Sequence, residues 1–563
     1  MKPAAVPHNE LSNLRETVES IWIAIILAFV LRAFVIEAFV IPTGSMAPRL
    51  MGQHVLAHCP ECGYEFPVSR SEISGTPSRS RFLAPCPNCR QPVDPAPAIN
   101  AGDRVLVLKY LYDFRQPRRW DVVVFKDPQS NELNYIKRLA GLPGEAMRII
   151  HGDVFVHPIE DADHNGVRDE NDLVAKDASG RNDLTKLTDW QLARKGHDVQ
   201  EAMWQIVSDN DYRSPVKSTN APLWRAEKSA SGWDLQADQG RVFRFEGSGF
   251  QQLRFAQDMD EEFLPSNGFY NVQSSEMPIS RADMCSDLKL ETTVMPQSPA
   301  GLVRLSLSSF EHEFAAEFNF DGRIRLLHRT RPAQNWSAAQ VWGEKKLAPW
   351  KENHAVHIAL THTDWQATVW LNGVPVLETD DSQYHPDVPQ LIQRIAQLQV
   401  PPPRVGVAAA DATCELWHTR VWRDVFYLSP TLYEAPRGVP GHYALAFGFV
   451  DPNDRMAAGW GTTANPIALR AYAGRAELDE FFMLGDNSPA SKDSRLWVDA
   501  APSLRLTQRR PDGTTEPLYR LGTVPRYNLI GRAFFVYWPA GGKLVKPDRL
   551  PYVPNVGKMR RIR

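Results

Sequence analysis

From Ser20 the chain reads SIWIAIILAFVLRAFVIEAFVIP, about twenty predominantly apolar positions, which is the length a hydrocarbon core requires. Arg32 and Glu37 interrupt the run, and an Arg at the bilayer centre costs ~2.5–3.5 kcal/mol. The expected helix therefore spans roughly Thr17 to Leu31, with Arg32 snorkelling and Ala33 to Ile41 leaving as an apolar strand at the membrane surface. A cleaved secretory signal is the alternative, but the apolar core is long and no Ala-x-Ala-like site precedes a polar start. Lys2 and Arg15, set among acidic residues, weakly favour the tail inside and the bulk outside.

Beyond that run the pattern is of strands. AGDRVLVLKYLYDFRQPRRWDVVVFKDP alternates apolar and polar positions as two strands, and NYIKRLAGLPGEAMRIIHGDVFV continues through a Pro-Gly turn and a His-Gly-Asp hairpin turn. VQEAMWQIVSDNDYRSPV reads as a short helix. From about Trp224 to Leu428 many short alternating runs follow, with Asp321-Gly322 and Asn372-Gly373 placed as primed hairpin turns. About two hundred such residues make a β-sandwich or jelly roll. ATVWLNGVPV followed by ELWHTRVWRD resembles concanavalin-like lectin sandwiches of the laminin-G type. DEFFMLGDNSPASKDSRLW and LGTVPRYNLIGRAFFVYWP are strand-like again; AFFVYW is too short to span a membrane and reads as a buried strand, followed by the basic tail KMRRIR.

Composition sharpens this picture. At 563 residues the chain holds several domains, and 44 prolines with 16 tryptophans suit strands joined by ordered turns. The 63 Lys+Arg against 66 Asp+Glu leave no electrostatic case for nucleic acid as a partner.

CPECGYEFPVSR and CPNCRQPV form two CxxC knuckles, so Cys59, Cys62, Cys86 and Cys89 match a structural Zn²⁺ site of zinc-ribbon type; two disulfides are the alternative. Four cysteines leave no open position for metal catalysis. In DADHNGVRDEND, Asp161, Asp163, Asn165, Asp169 and Asp172 occupy ligand positions of a twelve-residue Ca²⁺ loop around Gly166, with Asp where Glu is usual at the last; a solvated acidic turn is the alternative. Cys285 and Cys414, near the ends of the sandwich, either pair or are buried thiols.

IPTGSMAPRL places Ser45 one step after Gly44, between Pro42 and Pro48, where the chain leaves its apolar run. Gly44 allows close approach of a scissile carbonyl, and Thr43 can turn its hydroxyl toward the oxyanion that the Ser45 amide also faces. A serine needs a base. His54, His58 and His151 look like strand or turn residues, whereas Lys137, between Ile136 and Leu139 in NYIKRLAGLPG, can be desolvated. From a reference near ~10.4, its pKa must fall by about three units to give a useful neutral fraction at pH 7. The alternative is a surface lysine beside a solvated Arg138.

IPTGSMAPRL, GDRVLVLKY, RWDVVVFKDP, YIKRLAGLPGE and GDNSPASKDSR, in that order behind an apolar N-terminal segment, resemble the successive blocks of bacterial type I signal peptidases, the Ser/Lys-dyad membrane proteases. The likeness covers about a third of the chain. It implies Ser45 as nucleophile, Lys137 as general base, Thr43 as oxyanion-hole hydroxyl, Ser491 as the hydroxyl orienting the lysine, and Asp493 with Arg495 as a supporting pair; Gly485, Asp486 and Asn487 open the last block. It also implies a β-rich catalytic fold, secretory preproteins cut after small residues at P3 and P1, no catalytic cofactor, and a single-pass protein of the cytoplasmic membrane with its catalytic domain on the extracytoplasmic side. Ala33, Phe34, Ile36 and Phe39 would support the dock for the leader. The Cys-rich segment and the sandwich are insertions, and Ser488, Pro489 and Ala490 depart from the polar residues many members carry.

The expected architecture is mainly β: a tail (1–16), membrane anchor and interfacial segment (17–41), and a discontinuous signal-peptidase-type β catalytic domain (42–58, 101–157 and 429–545). Inserted in it are a zinc-ribbon-like segment (59–92), a polar linker (158–218) and a concanavalin-like sandwich (219–428), and a basic tail (546–563) follows. The rival reading is a membrane-tethered glycan- or protein-binding envelope protein on an inactive peptidase scaffold. A zinc metalloprotease fails for want of an HExxH-type helix.

Overall fold

The computed structural model describes residues 10–69, 83–95, 99–130, 132–173, 182–213, 223–227, 232–255, 283–331, 336–434, 443–445, 456–504, 507–509, 515–517, 519–540 and 556–563. The Ser/Arg-rich connector between the cysteine knuckles lies outside these residues. So do most of the N-terminal tail and the first part of the basic tail.

The apolar run forms α1 (Glu10–Val30), a π-helical turn (Leu31–Val35) and then β1 (Ile36–Val40). The helix thus starts earlier than Thr17, and the strand starts at Ile36 rather than Ala33. No helix among the described residues is long and apolar enough to cross a membrane. On α1, Ile21, Trp22, Ile23, Ile26, Leu27 and Phe29 are nonetheless exposed.

β1 is an edge strand of the unit outside the insertion, whose other main strands are β2 (Arg104–Leu108), β3 (Val122–Lys126), β4 (Asn134–Gly141), β5 (Glu145–Ile150), β6 (Asp153–Pro158), β7 (Glu480–Leu484) and β8 (Leu529–Trp538), in two sheets. One antiparallel sheet runs β1-β2-β8-β3-β4-β7, so β8, from the far end of the chain, sits between β2 and β3. β5 and β6 pair in a second sheet, joined by Gly152, whose φ of +88° the tight turn requires. AFFVYW is thus an inner, half-buried strand, and the described end of the basic tail is structured: Arg560–Arg561 pairs β8 and Ile562 is buried. Val105, Val107, Val122, Val124 and Ile136 form one core of this unit with Met46 and Leu50 from the turn after Ser45.

The insertion is two antiparallel sheets, of eight and seven strands, enclosing an apolar core that includes Leu305, Phe314, Phe318, Leu360 and Val369. Asn372 and Gly373 both have positive φ, as a primed two-residue turn demands; at Asp321-Gly322 the left-handed residue is Gly322, so that hairpin is not of the primed type. The expected helix is short, His197–Met203. The rest of that segment, Gln205–Asp209, is a strand on the long Ala412–Arg423 strand of the sandwich. Cys285 and Cys414 are free buried thiols in separate clusters.

Candidate active site

Ser45 sits in a turn held from both sides. Downstream, Met46 and Leu50 are fully buried and fix the turn on the β2/β3 core; each such burial contributes roughly 2–3 kcal/mol. Across the chain, Asn487 donates its backbone N–H to the Ser45 carbonyl (3.1 Å) and its side-chain amide to the Gly44 carbonyl (3.0 Å). Gly485 leaves room for this approach, because a Cβ there would stand 2.1 Å from Ser491 Oγ and 2.6 Å from the Ser45 carbonyl oxygen.

Lys137 is carried by β4, opposite Val123 of β3. Its Nζ donates to Ser45 Oγ at 2.5 Å and to the Ile136 carbonyl at 3.2 Å, and lies 5.4 Å from the Tyr135 ring centre. Lys137 is 4% exposed and Ser45 7%, so amine and hydroxyl meet away from bulk water. A solvated surface lysine is thereby ruled out.

Arg138, which the surface reading placed in solvent, is fully buried and forms a two-point ion pair with Asp486 (2.6 and 2.7 Å), donating also to the Trp120 carbonyl. Asp486 and its hydrogen bonds hold the guanidinium charged and raise its pKa against the opposing effect of burial. Sequence gave no signal for this pairing beyond the position of Asp486 in the GDN triplet.

Asp493 and Arg495 form a second fully buried ion pair at 2.8 Å. Asp493 also accepts from the Gly485 N–H (3.0 Å), and Arg495 donates to the Leu428 carbonyl and to Ser488, so the pair braces the 485–495 loop against the exit of the sandwich. Ser488–Ala490, the departure from the family pattern, is a 3₁₀ turn. Ser491 Oγ is buried with no hydrogen-bond partner among the described residues, and Thr43 is exposed. His54 and His58 lie in a strand and His151 in a turn.

The four knuckle cysteines form no disulfide, and their sulfurs lie within 4.8 Å of one another, with Cys59–Cys89 at 3.5 Å and Cys62–Cys86 at 3.7 Å. Four sulfurs tetrahedrally around Zn²⁺ at about 2.3 Å stand about 3.8 Å apart, so the set fits that ion. In the acidic loop, Asp161, Asp163 and Asp172 converge. Asp169 instead caps the next turn through the Asn171 N–H, and the Asn165 side-chain oxygen accepts from Val167.

Residues 87–215 and 461–538 match the profile of a family described as signal peptidase, peptidase S26. Lys137, Ser491, Asp493 and Arg495 fall within these segments, and Ser45 and Thr43 precede them. The chain is 37% identical over 75 residues to signal peptidase I of Leptolyngbya laminosa (12% of this chain, 36% of that protein) and 28% identical over 153 residues to that of Rickettsia massiliae (26% and 47%). It spans less than half the length of these curated relatives. The relation to type I signal peptidases read from the five sequence blocks is borne out. Among solved structures, the carbohydrate binding module CBM66 from Bacillus subtilis (14% identity, 36% of this chain, 96% of that one, TM-score 0.22) and the Emp46p carbohydrate recognition domain (9%, 35% and 88%, 0.23) align, too distantly to bear on what the sandwich binds.

Proposed function

We propose that the chain is a membrane-bound serine endopeptidase that removes N-terminal signal peptides from secretory preproteins at the membrane surface. The observation that carries this reading is the buried 2.5 Å contact between Lys137 Nζ and Ser45 Oγ. With its amine neutral, Lys137 takes the Ser45 proton as the hydroxyl oxygen attacks the peptide carbonyl; the lysine then protonates the leaving amine. The Ser45 N–H and the Thr43 hydroxyl receive the developing oxyanion. Lys137 deprotonates the water that hydrolyses the ester and returns that proton to Ser45 Oγ, and the Ser491 hydroxyl, buried beside Gly485 and unengaged among the described residues, is the group that the family likeness assigns to orient the amine. Gly485, Asn487 and the Asp493–Arg495 pair keep the serine turn in register with β4.

The exposed apolar residues of α1 and Phe34 support an anchor seated in the bilayer, with β1 at its surface and the catalytic unit on the extracytoplasmic side. Cys59, Cys62, Cys86 and Cys89 would hold a structural Zn²⁺, and Asp161, Asp163 and Asp172 a Ca²⁺ ion; neither takes part in the reaction. The sandwich presents a cavity of about 240 Å³ lined by Arg254, Glu313, Arg329, Trp336 and Arg404, a place for a glycan or another envelope ligand.

The test is incubation of the detergent-purified chain with a model preprotein and mass mapping of the products. One cut after a small residue at the signal junction, lost when P1 is made bulky, is expected. No cleavage, or cleavage indifferent to P1, overturns the reading and favours a binding protein on a silent scaffold.

A further inference from the structure

Four aspartates from distant stretches converge where the sandwich meets the peptidase sheets. Asp153 begins β6, Asp287 precedes the sandwich strand Leu288–Pro296, Asp364 lies in the turn before Gln366–Leu371, and Asp424 follows Ala412–Arg423. All four are buried, and carboxylate oxygens of Asp153, Asp287 and Asp364 lie within 4.8 Å of one another. Two bases face them. Lys195 Nζ contacts Asp364 and, at 3.1 Å, Asp424; His362 Nδ1 lies 3.0 Å from Asp287 Oδ1, its Nε2 engaged with the Tyr384 hydroxyl. Buried Arg423 stands beside Asp424 as well, donating to its backbone carbonyl (3.3 Å), so Lys195, His362 and Arg423 supply at most three positive charges against four carboxylates. The second oxygen of Asp424, on a side chain already turned into this cluster toward Lys195, has no hydrogen-bond partner among the described residues.

Uncompensated buried carboxylates are costly enough that a counter-charge is required. We propose that Asp153, Asp287 and Asp364, with Asp424 alongside, form a binding site for a hard divalent cation of the Ca²⁺ class, one that fastens the inserted sandwich to the peptidase scaffold. The donors are all oxygens, and oxygens up to about 4.8 Å apart can share one ion at 2.3–2.6 Å. Unlike the exposed Asp161 loop, whose ligands come from one short segment, this site draws Asp153 from the catalytic unit and Asp287 and Asp364 from the insertion. Closure of the site therefore depends on how the two units are seated.

The test uses the full chain in detergent, dialysed against EGTA, with Asp161→Asn, Asp163→Asn and Asp172→Asn silencing the exposed loop. CaCl₂ and MgCl₂ are titrated by calorimetry and thermal melting, and Tb³⁺ by luminescence sensitised through Trp365, next to Asp364, and Trp120, whose ring lies 5.4 Å from Lys195 Nζ. One ion per chain and a Tm rise of about 5 °C at saturation are expected, with at least a tenfold loss of affinity in Asp287→Asn made in the same background. Absence of binding by all three ions overturns the proposal and leaves a proton shared among the carboxylates as the counter-charge; unchanged affinity in Asp287→Asn also overturns it. If Asp287→Asn does not fold, the ion count of the loop-silenced chain decides, one ion supporting the site and none refuting it.

Discussion

Arg138 and Asp486 meet in a fully buried two-point ion pair immediately beside the Ser45–Lys137 contact, Arg138 adjoining Lys137 on β4 and Asp486 adjoining Gly485, on which the Ser45 carbonyl rests. The pair locks the register of β4 against the end of β7, where Leu484 stands opposite Arg138. Removing one member leaves the other charged and unpaired. Arg138→Met or Asp486→Leu should each destabilise the chain by about 3–5 kcal/mol, whereas the two together should cost clearly less than the sum. Urea denaturation of the single and double variants checks this.

Gly485→Ala separates positioning from stability. Its Cβ cannot be accommodated against the Ser45 backbone without moving the serine turn. A displacement near 1 Å is expected to lower kcat on a preprotein by about 10²-fold. A thermal melt should show a smaller relative change, and unchanged kcat would mean that the loop and the turn move independently.

The cysteine knuckles pack on the strand that borders the sandwich: the Asn88 side chain accepts from the Asp209 N–H (2.7 Å) and donates to the Tyr212 carbonyl (2.5 Å), and Tyr64 meets Tyr212 edge to face. Cys59→Ser with Cys86→Ser should abolish zinc, measured by elemental analysis. Residues 59–69 should become protease-sensitive while peptidase activity falls less than tenfold, since the knuckles lean on Asp209 and Tyr212 of the segment bordering the sandwich.

Acid should weaken the sandwich. Burial, reinforced by the neighbouring His312, pushes the His328 pKa down to about 4 from 6.5. A depressed histidine is neutral in the folded chain while the unfolded chain takes up a proton, so the stability it permits is complete above 6.5 and is lost as pH falls toward 4. His328 stacks on Trp342 with ring centres 3.8 Å apart. Urea midpoints followed by tryptophan fluorescence at pH 7 and pH 5 should therefore differ more in the wild type than in His328→Gln.

What was legible in the sequence was local or carried by motif. The apolar run, the alternation of β2 to β6, the Asn372-Gly373 turn and the paired knuckles depend on neighbours within a few residues, and Ser45 and Lys137 stand in blocks whose order is diagnostic. What was hidden depends on register and chain return. Arg138 looked like a surface charge because its partner, Asp486, arrives only after the whole insertion. Gln205–Asp209 continues a helical pattern locally, and its strand conformation is satisfied only by pairing with Ala412–Arg423. The cluster of Asp153, Asp287, Asp364 and Asp424 has no sequence spacing to betray it, and each looks like an ordinary turn aspartate.

The central claim is that Lys137 is the base for Ser45. Single-turnover cleavage of a model preprotein by wild type, Ser45→Ala and Lys137→Ala, each shown by circular dichroism to be folded, tests it most directly. Both variants should lose the cleavage step by roughly 10⁴-fold or more, and the double variant should be no slower than either, as for groups that act as one unit. Cleavage by Lys137→Ala within tenfold of the wild type would contradict the account.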